Sequence, residues 1–216
     1  MPPLEEVDQA AVEDDLELTR GQAVGQLEFM PSRPVHWSIV DNRLAAKGVT
    51  RAQVSVAWVK NADARPSLPF PADAQKLRDE FADIARILTD RFPNLKLAYY
   101  SSRIYAGYAT SELNPEPFAY QSGFAVKMLI AQQIDGETML NFDPADGPVA
   151  APWLSWGPYL WADGLNARAD GLVWTCQNLA ADGTHPSSSG QLKVAGLLLD
   201  FFTSDSTARE WYLAAP

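Results

Sequence analysis

Cysteine and histidine are almost absent from this sequence. Its 216 residues include one cysteine, Cys176, and two histidines, His36 and His185. A lone cysteine excludes an internal disulfide, and two histidines far apart in sequence do not make the ligand spacing of a zinc site, so no metal or other cofactor is expected. A basic stripe is missing too: the net charge is −10, which argues against a nucleic-acid partner, whose phosphates require clustered cations. No apolar run reaches the ~18 residues of a transmembrane span. The acidic start, Met1-Pro2-Pro3-Leu4-Glu5-Glu6, lacks the apolar core of a signal peptide, so none is expected. Neither Gly-x-x-x-x-Gly-Lys nor Gly-x-Gly-x-x-Gly occurs, which removes the common phosphate-cradling loops. Compartment and oligomeric state are left open by these absences.

What is present is a globular composition, 47% hydrophobic and 20% charged, long enough for one domain with a sizeable core. Residues 1–15, rich in Asp and Glu, read as an acidic arm; residues 16–203 read as the domain and 204–216 as a tail, with Trp211 and Tyr212 placed to dock back. Leu16 to Thr19 reads as a short strand running into Arg20-Gly21-Gln22. Trp37, Val40, Asp41 and Leu44 follow a helical period that Gly48 stops, with His36 as a helix-entry residue. Gln53 to Val59 is rich in β-formers. Leu77, Phe81, Ile84 and Leu88 mark an amphipathic helix, and Leu95 to Ser101 a second strand. Strand, helix, strand at this spacing is a βαβ unit, which implies parallel strands and places ligands outside their carboxyl ends. A helix is expected from about Phe124 to Ile134, a strand near residues 149–160 and a smaller one at Leu172 to Trp174. Cys176, next to that run, reads as a buried structural thiol. Residues 104–123, with three tyrosines and two prolines, read as a functional loop or lid.

Chemistry concentrates in two places. Asp182 and His185 are separated by a tight turn and lie just ahead of a helical run, Leu192, Ala195, Leu198, Leu199 and Phe202. A carboxylate there can hold one imidazole nitrogen and leave the other free to take a proton from a nucleophile. The same stretch is also a helix start, with Ser187, Ser188 or Ser189 as N-cap. At the strand ends, Asn61 and Asp63 follow the first strand of the βαβ unit, and Ser101, Ser102 and Arg103 follow the second. Asn61 is a candidate side-chain donor to an oxyanion. The aromatic run Trp153, Trp156, Tyr159 and Trp161 fits either core packing or a carbohydrate-stacking loop, with Trp156 and Tyr159 as the substrate-loop candidates.

The block Asp182-Gly183-Thr184-His185-Pro186, placed before the last helix, together with the turn Lys60-Asn61-Ala62-Asp63, resembles the SGNH (GDSL-like) hydrolase superfamily. Residues 50–203 as a whole resemble a bacterial branch of it. The resemblance implies a mainly parallel sheet in a three-layer α/β/α sandwich, flavodoxin-like in outline. It also implies hydrolysis of acyl esters, among them acylated carbohydrates or lipids, without a cofactor. His185 would be the general base and Asp182 its orienting partner, with Gly21 and Asn61 as oxyanion donors. Asp63 competes with Asn61 for its place, since the glycine usual two residues before the asparagine is Val59 here. The departure is the nucleophile: the family places a serine in a Gly-Asp-Ser-like block ahead of the position taken by Gly21, whereas the first serine of this chain is Ser32. Ser101 and Ser102 are the internal candidates. The alternative is a non-catalytic chain that binds glycans or acyl groups through its aromatic loops.

Overall fold

The computed structural model describes residues 34–213. The acidic arm, the strand expected at 16–19 and Gly21 lie outside the described residues. The described part is mixed α/β: a small open sheet of three parallel strands with five helices.

Helix α1 (Pro34–Ala46) ends where Gly48 takes a positive φ of 69°, a conformation that costs glycine nothing. A short 3-10 turn, Arg51–Gln53, shortens the expected first strand to β1 (Val56–Val59). Helix α2 (Ala72–Arg91) carries the amphipathic stripe and buries Leu77, Phe81, Ala85 and Leu88. It leads to β2 (Leu97–Tyr100), which pairs in parallel with β1 through Val56↔Leu97 to Val59↔Tyr100. The expected βαβ unit is therefore present. Helix α3 (Phe118–Ile134) then returns to β3 (Trp153–Trp156), parallel to β2 on its other side.

The two faces of β2 meet different partners, as the two-residue period of a strand requires. Ala98 and Tyr100 pack with Leu77 and Phe81 of α2 and Val126 and Leu129 of α3. Leu97 and Tyr99 pack with Ala208, Phe201 and Phe202, the last two on helix α4 (Ser188–Ser204). Helix α5 (Arg209–Tyr212) returns the tail to this face: Trp211 donates its indole N–H to Tyr99 at 3.3 Å, and Tyr212 stacks on Phe202.

Three local expectations are corrected. Helix α3 begins six residues earlier than its apolar pattern indicates, because Pro117 caps it and the proline pair at 115 and 117 starts a helix instead of prolonging a loop. Leu172 to Trp174 forms no strand. Both residues are buried, but in irregular backbone whose polar groups are met one by one: Trp174 N–H donates to Gly164 at 2.7 Å, and its indole to Leu160 at 2.9 Å. Cys176 is exposed. The chain makes a 3-10 turn at Cys176–Asn178, closed by Thr175 donating to Asn178 Oδ1, so Trp174 and Asn178 point inward and the thiol outward.

Candidate functional site

Gly183 shapes the loop that holds the Asp–His pair. Its φ is +66°, and a Cβ there would lie 1.8 Å from the carbonyl oxygen of Tyr108. Only glycine permits both the turn and this approach. The loop is held down by Thr110, whose N–H donates to the Asp182 carbonyl at 3.0 Å, and by Ala180, whose N–H donates to the His185 carbonyl at 2.7 Å. Just beyond, Ser187 caps α4 by accepting the Gly190 N–H. The segment is thus both a helix start and a positioned Asp–His turn.

Within the turn, Asp182 Oδ1 accepts the backbone N–H groups of Thr184 and His185, each at 3.0 Å. Its Oδ2 meets His185 Nδ1 in a short, direct contact. Burial pulls the Asp182 carboxyl upward, but the His185 ring and these two N–H groups outweigh it and hold the group below the usual carboxylate range. The imidazole is therefore gripped at Nδ1 by an anion, an arrangement that leaves Nε2 to exchange protons.

The strand ends come next. Beyond β1, Asn61 Oδ1 accepts the Ala62 N–H at 2.9 Å, while its amide nitrogen has no partner among the described residues. Asp63 is buried and turned toward α2, paired with Lys76 at 3.0 Å. Beyond β2, Ser101 and Ser102 are both fully buried with occupied hydroxyls. Ser101 Oγ accepts the Trp58 indole N–H at 2.9 Å, and Ser102 Oγ accepts the backbone N–H groups of Leu160 and Trp161. Their partners make them buttresses between β1, β2 and the chain after β3. Gly157, after β3, belongs to the same packing, since a Cβ there would meet Ser101 Oγ at 2.6 Å.

Arg103 connects the β2 end to the Asp–His loop. Its N–H donates to Ser122 of α3 at 2.8 Å, and its guanidinium reaches the Thr184 carbonyl at 3.4 Å. Thr184 in turn donates to the Leu113 carbonyl, also at 3.4 Å. Next to Leu113, Asn114 is 1% exposed, sits at φ +48°, and finds no partner for either atom of its amide. Glu116 pins the long loop ahead of α3: its carboxylate accepts the N–H groups of Ala106 and Tyr120 and the indole of Trp161, at 2.9–3.0 Å. The expected lid at 104–123 is thus a fastened loop followed by a helix. Sequence reasoning placed Arg103 at a strand end without assigning it a role, and it missed Asn114 and Glu116. The proximity of the last two to the site comes from contacts between segments 45 to 71 residues apart, which no local pattern signals.

Of the substrate-loop candidates, Trp156 packs against the core formed by α2, α3 and the sheet. Tyr159 lines an open cleft of about 160 Å³ with Tyr120, Gly123 and Phe124. Gly123 allows the Tyr159 ring to come within 2.9 Å of where a Cβ would stand. Among the described residues no group of His, Cys, Asp and Glu has the arrangement of a metal site, and no helix is long and apolar enough to cross a membrane. No family model, curated protein or solved structure matches the chain.

Proposed function

We propose that this chain is an ester hydrolase of the SGNH (GDSL-like) kind, in which His185 is the general base and Asp182 the carboxylate that orients it. The observation that carries the reading is the Nδ1–carboxylate contact within a turn fastened beside the carboxyl end of β2. Such a pair fixes the tautomer of the ring and stabilises the imidazolium that forms when Nε2 takes a proton. In the reaction, a nucleophilic hydroxyl attacks the ester carbonyl carbon and gives its proton to His185. The tetrahedral intermediate then collapses, and the departing alkoxide takes that proton. Water repeats the sequence on the acyl intermediate, with His185 again as base. The free amide nitrogen of Asn61 suits a donor to the oxyanion, and Gly21 is the second donor the family pattern supplies. A serine is the nucleophile in this reading. The fold belonging to it is a three-layer α/β/α sandwich with a mainly parallel sheet; the different partners on the two faces of β2 support it.

The test is reaction with a fluorophosphonate, followed by peptide mapping of the labelled site. One labelled serine, lost in His185→Ala, is the expected result. A chain that stays unlabelled has no activated serine, and the serine-hydrolase reading falls.

A second reading, binding of glycans or acyl groups without turnover, draws on the aromatic cleft at Tyr120, Phe124 and Tyr159 and on the occupied hydroxyls of Ser101 and Ser102. Saturable binding of an oligosaccharide, weakened in Tyr159→Ala and with no ester cleaved, would select it.

A further inference from the structure

Two cations stand at the carboxyl ends of neighbouring strands, and neither is ion-paired among the described residues. Lys60 follows β1 directly, opposite Ser101 in the continuing register, and Arg103 lies three residues beyond β2. The Lys60 side chain makes no hydrogen bond and no ion pair among the described residues. Arg103 has one long contact, to the Thr184 carbonyl, and no carboxylate pairs with it among the described residues. Its Nε is sealed from solvent with no partner, and Nη1 has no hydrogen-bond partner among the described residues. The nearby carboxylates are already engaged: Glu116 holds three N–H groups, and Asp182 holds two N–H groups and the imidazole. Enclosure weighs on both cations, and the charge of Arg103 weighs on Lys60 as well. Burial, then the charge of Arg103, pushes Lys60 down to about 7; burial lowers Arg103 to about 10, against the pull of Glu116 and Asp182. A guanidinium whose neighbouring carboxylates are committed to other groups is costly to enclose unless something compensates it, and here its contact with Thr184 puts it next to His185.

We infer that Arg103 and Lys60 form an oxyanion-binding site beside the Asp182–His185 pair, taking a carboxylate or phosphate group carried by the substrate. Arg103 offers the fork geometry suited to such groups and Lys60 a point charge beside it. The inference builds on the hydrolase reading by naming a substrate class: an ester whose acid or alcohol part bears a second, charged group. The packing is consistent with this, since Arg103 is anchored through its own backbone N–H to Ser122 and its Nε and Nη1 have no partner among the described residues.

Calorimetric titration at low salt and pH 6 tests it, with succinate and inorganic phosphate as probes and neutral succinamide as control. The wild-type chain should bind one or both anions and not succinamide, and the tighter anion identifies the charged group. Arg103→Gln should weaken binding roughly tenfold or more, as loss of a charge-assisted contact implies. If wild type binds neither anion, or if folded Arg103→Gln binds as well as wild type, the inference is wrong. Should Arg103→Gln fail to fold, Lys60→Gln decides: weaker binding by about threefold or more supports the site, and unchanged binding overturns it. No turnover is needed. A chain that binds succinate but cleaves no ester refutes the hydrolase reading alone, and one that cleaves neutral esters but ignores both anions refutes this inference alone.

Discussion

Replacing Gly183 by alanine should damage the Asp–His loop more than the same change at any exposed turn. Two costs add. Alanine at φ +66° costs roughly 1 kcal/mol in the left-handed region. The added Cβ would also sit 1.8 Å from the Tyr108 carbonyl oxygen, a backbone atom that cannot rotate away. The loop must shift, and the bond from Thr110 N–H to the Asp182 carbonyl stretches or breaks, at about 1 kcal/mol with comparable losses around it. The sum is about 3 kcal/mol, or a melting temperature lower by roughly 6–12 °C for a chain of this size. Gly171 supplies the control: its φ is +83°, but nothing lies within 4 Å of a Cβ there. Gly171→Ala should therefore cost only the conformational part, about 1 kcal/mol and roughly 2–4 °C. Thermal melts of the two variants by circular dichroism separate strain from clash. If they melt within about 2 °C of each other, the close approach of Gly183 to Tyr108 does not hold the loop.

Other predictions follow from buried groups. Trp174 is fully buried with its indole bonded to Leu160, so Trp174→Ala should cost about 3–5 kcal/mol in a denaturant titration. Glu80 is pushed up to about 7, by burial first and then by the charge of Asp63. Between pH ~4.5 and 7 the folded chain holds this proton and the unfolded chain has lost it, so stability falls as pH rises through that window. Glu80→Gln should flatten the fall, read from denaturation midpoints at pH 5 and pH 7.5. Asp182 has the opposite sign: its lowered folded value means stability present above the unfolded pKa of ~3.9 and lost as pH falls through the folded value. Asp182→Ala should reduce the acid-limb slope, measured over pH 2–5.

The elements with long, regular patterns were legible in the sequence. The stripe Leu77, Phe81, Ile84 and Leu88 is α2, and the βαβ order gave the parallel pairing of β1 with β2. The Asp182–His185 turn was legible as well, because both partners and the glycine between them are local. Leu172 to Trp174 misled because an apolar run signals burial without fixing backbone form, and Trp174 found its partners in the loop at Leu160 and Gly164. Cys176 misled for a related reason: the turn closed by Asn178 faces it outward. The surroundings of Arg103 were not legible at all. They depend on Glu116 and Ser122 around the start of α3 and Thr184 in the Asp–His loop converging from two segments, and only the tertiary packing brings these together.

The most direct test of the hydrolase reading is the ratio of kcat/KM for p-nitrophenyl butyrate between wild type and His185→Ala, with both proteins shown to be folded. If His185 is the base oriented by Asp182, the ratio should be about 10³ or more, and Asp182→Asn should fall between the two. If the ester is cleaved at the same rate without the imidazole, His185 does not do the chemistry assigned to it here.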